Sequence, residues 1–140
     1  MRLLDANVVI DALDSNSPWH GWAVQVLVEA IAADGAALNP VALSEVLVAC
    51  ADREAAVGEI TGWGVELVAL PPAVAIRASE AFARYLARCR SEGVPRSSRI
   101  PLPDFLIGAH AAHMGWPVIT RDPSRFRTYF PELTLRCPVP

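Results

Sequence analysis

The chain has 140 residues, 53% of them hydrophobic, and its 15 acidic and 12 basic residues give a net charge of −3. This length predicts one domain, residues 1–140, with enough apolar residues for a core. The absence of lysine excludes a P-loop with its GK[ST] signature, and no GxGxxG motif is present. No apolar run reaches the roughly eighteen residues of a membrane span. Acids at positions 5 and 11 interrupt any signal-peptide core. We therefore expect a cytoplasmic protein with no membrane partner.

The charges are distributed unevenly along the chain. Residues 1–70 contain ten acids and two arginines, whereas residues 71–140 contain five acids and ten arginines. A basic half facing an acidic site would suit a polyanionic substrate, although ordinary solvated faces explain the pattern equally well. The three cysteines are far apart and match neither a metal motif nor a disulfide framework, so we interpret them as small apolar residues.

The first predicted strand ends in an acid. Leu3 and Leu4 form a short apolar run that stops at Asp5, and helix-compatible apolar positions follow between Val8 and Leu13. Ligands of open α/β sheets bind outside the carboxyl ends of the strands, where Asp5 would lie. A lone buried carboxylate is costly unless it is paired or binds a metal. Asp5 therefore indicates either a functional site or a helix cap.

Helices and short apolar strands alternate along the rest of the chain. We predict helices at about 19–33, 41–50, 52–63, 73–90 and 104–114, short strands at 36–38, 65–70, 118–120 and 133–135, and a helical turn after Pro123. Residues 91–103 predict a proline-rich loop. Alternation of this kind is typical of an α/β fold.

Four acids occupy positions that packing explains poorly. Asp5 and Asp122 follow strands, Glu45 lies among apolar residues of a helix, and Asp104 opens a helix after a proline. The carboxyl ends of parallel strands share one edge of a sheet, so these acids are expected to meet there. Taken singly, each acid has a structural explanation. Asp104 could be an acid that the helix dipole favours at a helix N-terminus, Asp122 could belong to a turn, and Glu45 could be an edge residue. The set of four carries the prediction of a site.

Such a cluster of carboxylates requires a counter-charge. Two ionised carboxylates 4 Å apart repel each other by about 4 kcal/mol at an effective dielectric constant of about 20. Either a cation or bound protons must offset this repulsion. Oxygen ligands without histidine or cysteine predict Mg²⁺ or Mn²⁺, and water on such an ion can hydrolyse phosphate esters.

Four segments resemble the acidic motifs of PIN-domain nucleases. The segments are Leu4–Ile10, Leu43–Val46, Leu102–Ala111 and Ile119–Pro123. Each motif alone is weakly specific, but the four occur in order over nearly the whole chain. In length and motif order, the chain is similar to the VapC toxins of bacterial toxin–antitoxin pairs.

The resemblance implies a three-layer α/β/α fold with a parallel sheet of about five short strands. It also implies that Asp5, Glu45, Asp104 and Asp122 form a catalytic quartet. Asp5 and Asp104 would be direct metal ligands, and Asp122 would bind through water or a second ion.

Further expectations follow from the same resemblance. Asn7, Ser44 and Thr120 match polar positions that orient the acids or the metal-bound waters. The activity would be metal-dependent endoribonuclease cleavage of RNA, by a homodimer that a small antitoxin inhibits. One departure from the family is the loop at 95–99, which looks longer than the compact basic turn found there.

Three arginines are candidates for binding RNA phosphates. Arg96 and Arg99 lie in the loop before Asp104, and Arg121 adjoins Asp122. The arginine fork suits phosphate oxygens. Two other functions compete with the nuclease. A catalytically silent PIN-like RNA-binding or assembly module is disfavoured by the intact acids. A haloacid-dehalogenase type of phosphatase is disfavoured by the missing DxDxT motif.

Overall fold

The computed structural model describes residues 1–93, 95 and 101–140. Within these residues there are five strands: β1 (Arg2–Leu4), β2 (Ala36–Leu38), β3 (Glu66–Leu67), β4 (Val118–Ile119) and β5 (Leu135–Arg136). The helices in the same residues are α1 (Ala6–Leu13), α2 (His20–Ala33), α3 (Pro40–Val48), α4 (Arg53–Gly62), α5 (Val74–Ser91), α6 (Leu102–Met114) and α7 (Ser124–Tyr129). No helix of this part of the chain has the length and apolar character needed to cross a bilayer.

The strands form one parallel sheet in the order β3-β2-β1-β4-β5. Leu3 of the central strand pairs with Ala37 on one side and Val118 on the other, and all three residues are fully buried. Continuous burial of this kind is typical of parallel strands covered by helices on both faces. The predicted three-layer α/β/α fold with a short parallel sheet is confirmed.

The strand order reverses direction at β1. The chain runs from β1 outward through β2 to β3, and then returns to place β4 and β5 on the opposite side of β1. Open α/β sheets bind ligands in the crevice at such a switch point. The backbone N–H of Asp5 donates to the carbonyl of Ile119 at 3.0 Å, so the carboxyl ends of β1 and β4 lie side by side at this crevice.

A cluster of aromatic rings fixes helix α6 beside the sheet. Phe105 is fully buried, and its ring centroid lies 5.1 Å from that of Tyr129, 5.8 Å from Tyr85 and 5.9 Å from Phe82. These contacts join α6 to α5 and α7. Because Asp104 immediately precedes Phe105, the same packing holds this acid in place.

Several predicted boundaries differ from the structure by one to three residues, among them those of α6 and β3. Helix α6 begins at Leu102 rather than at Asp104. Pro103 is tolerated because the N–H groups of a first helical turn have no partner within the helix. Strand β3 covers only Glu66–Leu67 of the predicted 65–70, since it is an exposed edge strand that pairs with β2 alone.

Candidate active site

A cleft of about 440 Å³ opens at the switch point of the sheet. All four acids predicted from the sequence line it, although they come from separate segments of the chain. The charged and polar residues of its wall are Asp5, Asn7, Glu45, Asp104, Arg121, Asp122 and Arg125. A cleft that combines clustered carboxylates with arginines is suited to a cation and a phosphate ester together.

Asp5 connects β1 to α1 and is 5% exposed. It is the N-cap of α1, and its Oδ1 accepts a hydrogen bond of 2.8 Å from the backbone N–H of Ala6. Its Oδ2 accepts hydrogen bonds from Nδ2 of Asn7 at 3.0 Å and from Oγ1 of Thr120 at 2.7 Å. Asp5 is therefore both a helix cap and a cleft residue, with the two oxygens serving different partners.

Thr120 and Asn7 join the first motif of the chain to the last one. Thr120 is fully buried, and its Oγ1 accepts a hydrogen bond of 3.1 Å from the backbone N–H of Asp122. The Oδ1 of Asn7 accepts one of 3.1 Å from the backbone N–H of Arg121. These contacts orient Asp5 relative to Asp122, which is the arrangement expected of supporting residues.

Burial raises the pKa of Asp5 from 3.8 to about 6. The hydrogen bond from Thr120 lowers this pKa, and the negative charges of Asp104 and Glu45 raise it further. These two acids therefore lie near enough to interact electrostatically with Asp5. A raised carboxyl pKa in a cleft marks a candidate functional site, because burial and nearby negative charges disfavour the charged form unless a cation offsets them.

The other three acids approach the cleft from different elements. Glu45 is half-buried on α3. Asp104 lies in the first turn of α6, and its Oδ2 accepts a hydrogen bond of 2.6 Å from Nη1 of Arg125. Asp122 is exposed, and its Oδ1 accepts a hydrogen bond of 2.7 Å from Oγ of Ser124. The four carboxylates thus share one cavity but differ in burial and in counter-charge.

One predicted residue, Ser44, is not among those that line the cleft with these acids. Ser44 is exposed, and its Oγ donates to the carbonyl of Pro40 at 2.6 Å, so its hydroxyl is used by its own helix. The role of Ser44 in orienting the acids or their waters stays a prediction. Arg96 and Arg99 lie outside the described residues, and their contacts with RNA stay predictions.

Two charged residues of the site were missed by the sequence analysis. Arg125 lines the cleft and binds Asp104, which is 21 residues away in the chain. Asp11 is buried on α1 and binds Arg121, which is 110 residues away. Asp11 had a usable signal, because it is an acid among apolar helical residues, as Glu45 is. Arg125 had none, since its pairing depends on the tertiary fold alone.

The residues of the cleft fit a hard cation that keeps several of its waters better than a cation whose ligands all come from the protein. No three acidic, histidine or cysteine side chains of the described residues are grouped closely enough to hold a metal ion by themselves. Mg²⁺ usually keeps several waters and binds through one or two carboxylates together with substrate phosphates. The cleft provides oxygen ligands, a carboxyl group of raised pKa and space for water.

Several solved structures share this fold at low sequence identity. VapBC2 from Rickettsia felis, bound to a DNA fragment from its promoter, has a TM-score of 0.60 and 14% identity over 97% of each chain. VapBC-1 from nontypeable Haemophilus influenzae has a TM-score of 0.62 and 14% identity over 97% of this chain and 96% of the other. A toxin–antitoxin complex from Klebsiella pneumoniae has a TM-score of 0.57 and 19% identity over 90% of each chain.

The comparison with curated proteins returned no significant match. The sequence model of the PIN domain, however, matches residues 2–130, which include all four acids of the cleft. The sheet order, the switch-point cleft and the sequence match agree with one another, and the chain belongs to the PIN domain family.

Proposed function

We propose that this protein is a Mg²⁺- or Mn²⁺-dependent endoribonuclease and the toxin of a toxin–antitoxin pair. The observation that carries the proposal is the convergence of Asp5, Glu45, Asp104 and Asp122 on one cleft at the switch point. An acidic cleft repels a phosphodiester unless a cation and positive side chains offset the charge. Here Arg121 and Arg125 lie on the same wall as the acids.

Each residue of the cleft has a role in this proposal. Asp5 and Asp104 would hold the ion directly, and Asp122 would hold it through water. When bound, the ion would lower the pKa of a water molecule and offset charge on a phosphoryl oxygen. Glu45 would accept the proton that the attacking water loses, while Thr120 and Asn7 keep Asp5 oriented. Arg121 would bind a phosphate oxygen.

The proposed partners follow from the neighbouring structures and from the surface of the chain. One neighbour is a toxin–antitoxin complex, and we expect a small antitoxin to bind this chain as well. An apolar groove of about 360 Å³ between α2 and α4, with Val24 and Val28 exposed at its edge, is available to an antitoxin or to a second copy in a homodimer. Because RNA is the proposed substrate, we propose that the protein acts in the cytoplasm.

Cleavage of a labelled RNA with single-stranded loops, at millimolar Mg²⁺ and in EDTA, tests this function. Asp5→Asn and Asp104→Asn should each lower the cleavage rate by at least about 100-fold, because even outer-shell changes at metal sites cost 10- to 100-fold. Asp34→Asn is the matched control, since Asp34 is an exposed acid away from the cleft. Circular dichroism would establish that each variant folds.

Three outcomes would contradict the proposal. Cleavage that persists in EDTA would exclude a metal-dependent reaction, and wild-type rates in both variants would place the active site elsewhere. Cleavage of DNA but not RNA would change the substrate.

The competing function, a catalytically silent RNA-binding or assembly module, predicts RNA binding without cleavage under every metal condition. Co-expression with the product of a short reading frame upstream should abolish cleavage if that product is the antitoxin.

A further inference from the structure

A buried acid outside the proposed catalytic quartet binds one of the arginines of the cleft. The side chain of Asp11, in the last turn of α1, is 6% exposed. Its oxygens accept hydrogen bonds from Nη1 of Arg121 at 3.0 and 2.9 Å, and Oδ1 also accepts one of 2.8 Å from Oγ of Ser17. A buried carboxylate is stable only when its charge and lone pairs are satisfied in this way. Arg121 therefore provides the charge that compensates buried Asp11.

Arg121 is held from two directions. Its backbone N–H donates to Oδ1 of Asn7 at 3.1 Å, and its Nη1 binds Asp11. Its side chain is 36% exposed, and Arg121 lines the acidic cleft. Both of its side-chain hydrogen bonds to described residues come from Nη1. No described residue accepts a hydrogen bond from its Nε or Nη2, so these donors remain for a ligand. An arginine fork that is fixed on one side loses less conformational entropy when the other side binds phosphate.

Arg121 also lies where it could bind a carboxylate of the cleft in competition with a cation. Asp5 and Asp122 line the same cleft, and either carboxylate could accept a hydrogen bond from a guanidinium that was free to move. Arg125 already makes such a contact with Asp104. An arginine that bound one of the remaining acids would compete with a divalent cation for the same oxygens. Some feature of the fold must hold Arg121 away from them.

We propose that Asp11 is the positioning residue that performs this task. It holds Arg121 at the edge of the cleft, which keeps this arginine from the carboxylates of Asp5 and Asp122 and directs its remaining donors toward a phosphate of the RNA strand. The proposal rests on the proposed nuclease function for its ligand, but its central contact is between residues of this chain. Asp11 itself touches neither the metal nor the RNA.

A double-mutant cycle on metal binding tests this role independently of turnover. Calorimetric titration with Mn²⁺ would compare the wild type, Asp11→Ala, Arg121→Gln and the double variant. We expect Asp11→Ala to weaken Mn²⁺ binding by about tenfold, the scale seen when outer-shell partners of metal ligands are removed. Adding Arg121→Gln to Asp11→Ala should restore the affinity to within about threefold of that of Arg121→Gln alone. Loss of a merely structural ion pair would not be rescued in this way.

The affinity for RNA provides a second measurement. Asp11→Ala and Arg121→Gln should each raise KM for RNA, and the double variant should be no worse than the poorer single variant. Each single variant should also lower the slope of log affinity against log salt by about 0.7, which corresponds to one lost phosphate contact on a single strand. The control pair is Glu29→Gln and Arg136→Gln, an exposed ion pair away from the cleft, for which neither quantity should change.

Two results would overturn the proposal. In one, the double variant binds Mn²⁺ as weakly as Asp11→Ala does, which would mean that Asp11 acts without Arg121. In the other, Asp11→Ala changes neither Mn²⁺ affinity nor KM. If Asp11→Ala does not fold, Asp11→Asn keeps the volume and one acceptor and should change both quantities in the same direction by a smaller factor. A wild type that binds Mn²⁺ but does not cleave RNA would refute the nuclease function and leave the metal cycle intact.

Discussion

The guanidinium of Arg125 donates a hydrogen bond of 2.6 Å from Nη1 to Oδ2 of Asp104. Both side chains line the acidic cleft, with exposed fractions of 37% and 27%, respectively. Asp104 therefore has a cationic partner within the described part of the protein. This contact offsets the charge of Asp104 and uses Oδ2, one of the oxygens that the proposed divalent ion would bind.

Replacing Arg125 with glutamine should strengthen metal binding. A partly exposed ion pair contributes about 0.2–1 kcal/mol, so its removal should tighten Mn²⁺ binding by up to about fivefold. Calorimetric titration would measure the change directly. Arg127→Gln, on the same helix but with an exposed side chain outside the cleft, is the matched control and should leave the affinity unchanged. An unchanged affinity in Arg125→Gln would mean that Arg125 does not compete with the ion.

The raised pKa of Asp5 predicts how the stability of the metal-free protein depends on pH. Between pH 3.8 and about 6, the folded protein holds a proton on Asp5 that the unfolded chain has released. Stability should therefore fall as pH rises through this window and stay lower above it. The rise in pKa from 3.8 to about 6 corresponds to about 3 kcal/mol.

Asp5→Asn isolates this contribution, because asparagine is neutral at every pH. In EDTA, the difference in unfolding free energy between the variant and the wild type should rise in favour of the variant from pH 4 to pH 7. Urea unfolding at several pH values would measure it. Millimolar Mg²⁺ should stabilise the wild type at pH 7 and not the variant, since ligand binding raises the stability of the state that binds. A difference that is constant with pH would contradict the raised pKa.

Removing the hydroxyl of Thr120 should raise the pKa of Asp5 further. The hydrogen bond from Thr120 to Asp5 lowers that pKa, and Thr120 is fully buried. Thr120→Val keeps the shape but leaves polar partners unsatisfied, at a cost of about 1–3 kcal/mol in stability. The pH at which Mn²⁺ binding is half-maximal should rise above its wild-type value. Thr120→Ser restores the donor and should restore this midpoint, whereas an equal shift in both variants would exclude the hydrogen bond as its cause.

Much of the candidate site could be predicted because its acids carry local signals. Asp5 follows the apolar run of Leu3 and Leu4, and Asp122 follows β4 in the same way. In a parallel sheet these ends meet at one edge, so the proximity of the two acids could be predicted without any tertiary information. The same reasoning predicted a parallel α/β fold, which the structure confirmed.

The counter-charges could not be predicted in this way. The ion pairs of Asp104 with Arg125 and of Asp11 with Arg121 join residues that are far apart in the chain, and no helix or strand periodicity relates their positions. Arg121 was predicted to bind phosphate, but the sequence gives no sign that half of its fork is already used by Asp11. Ser44 illustrates the same limit, because its match to a family motif does not show that its side chain is exposed and donates to the carbonyl of Pro40 in its own helix.

The close contact between Gly108 and Phe130 predicts the effect of a small change beneath the site. A Cβ at Gly108 on α6 would lie 2.5 Å from Cδ2 and Cε2 of the Phe130 ring, which is buried and cannot move to solvent. Gly108→Ala should therefore destabilise the protein by about 1–3 kcal/mol through overpacking, despite a gain of about 1 kcal/mol in helix propensity. Gly58→Ala, in α4 with open space around it, should instead stabilise the protein by about 0.4–1 kcal/mol. Urea midpoints at constant m-value would compare the two variants. Equal midpoints would show that α6 can shift to accommodate the methyl group, and such a shift would also have to displace Asp104.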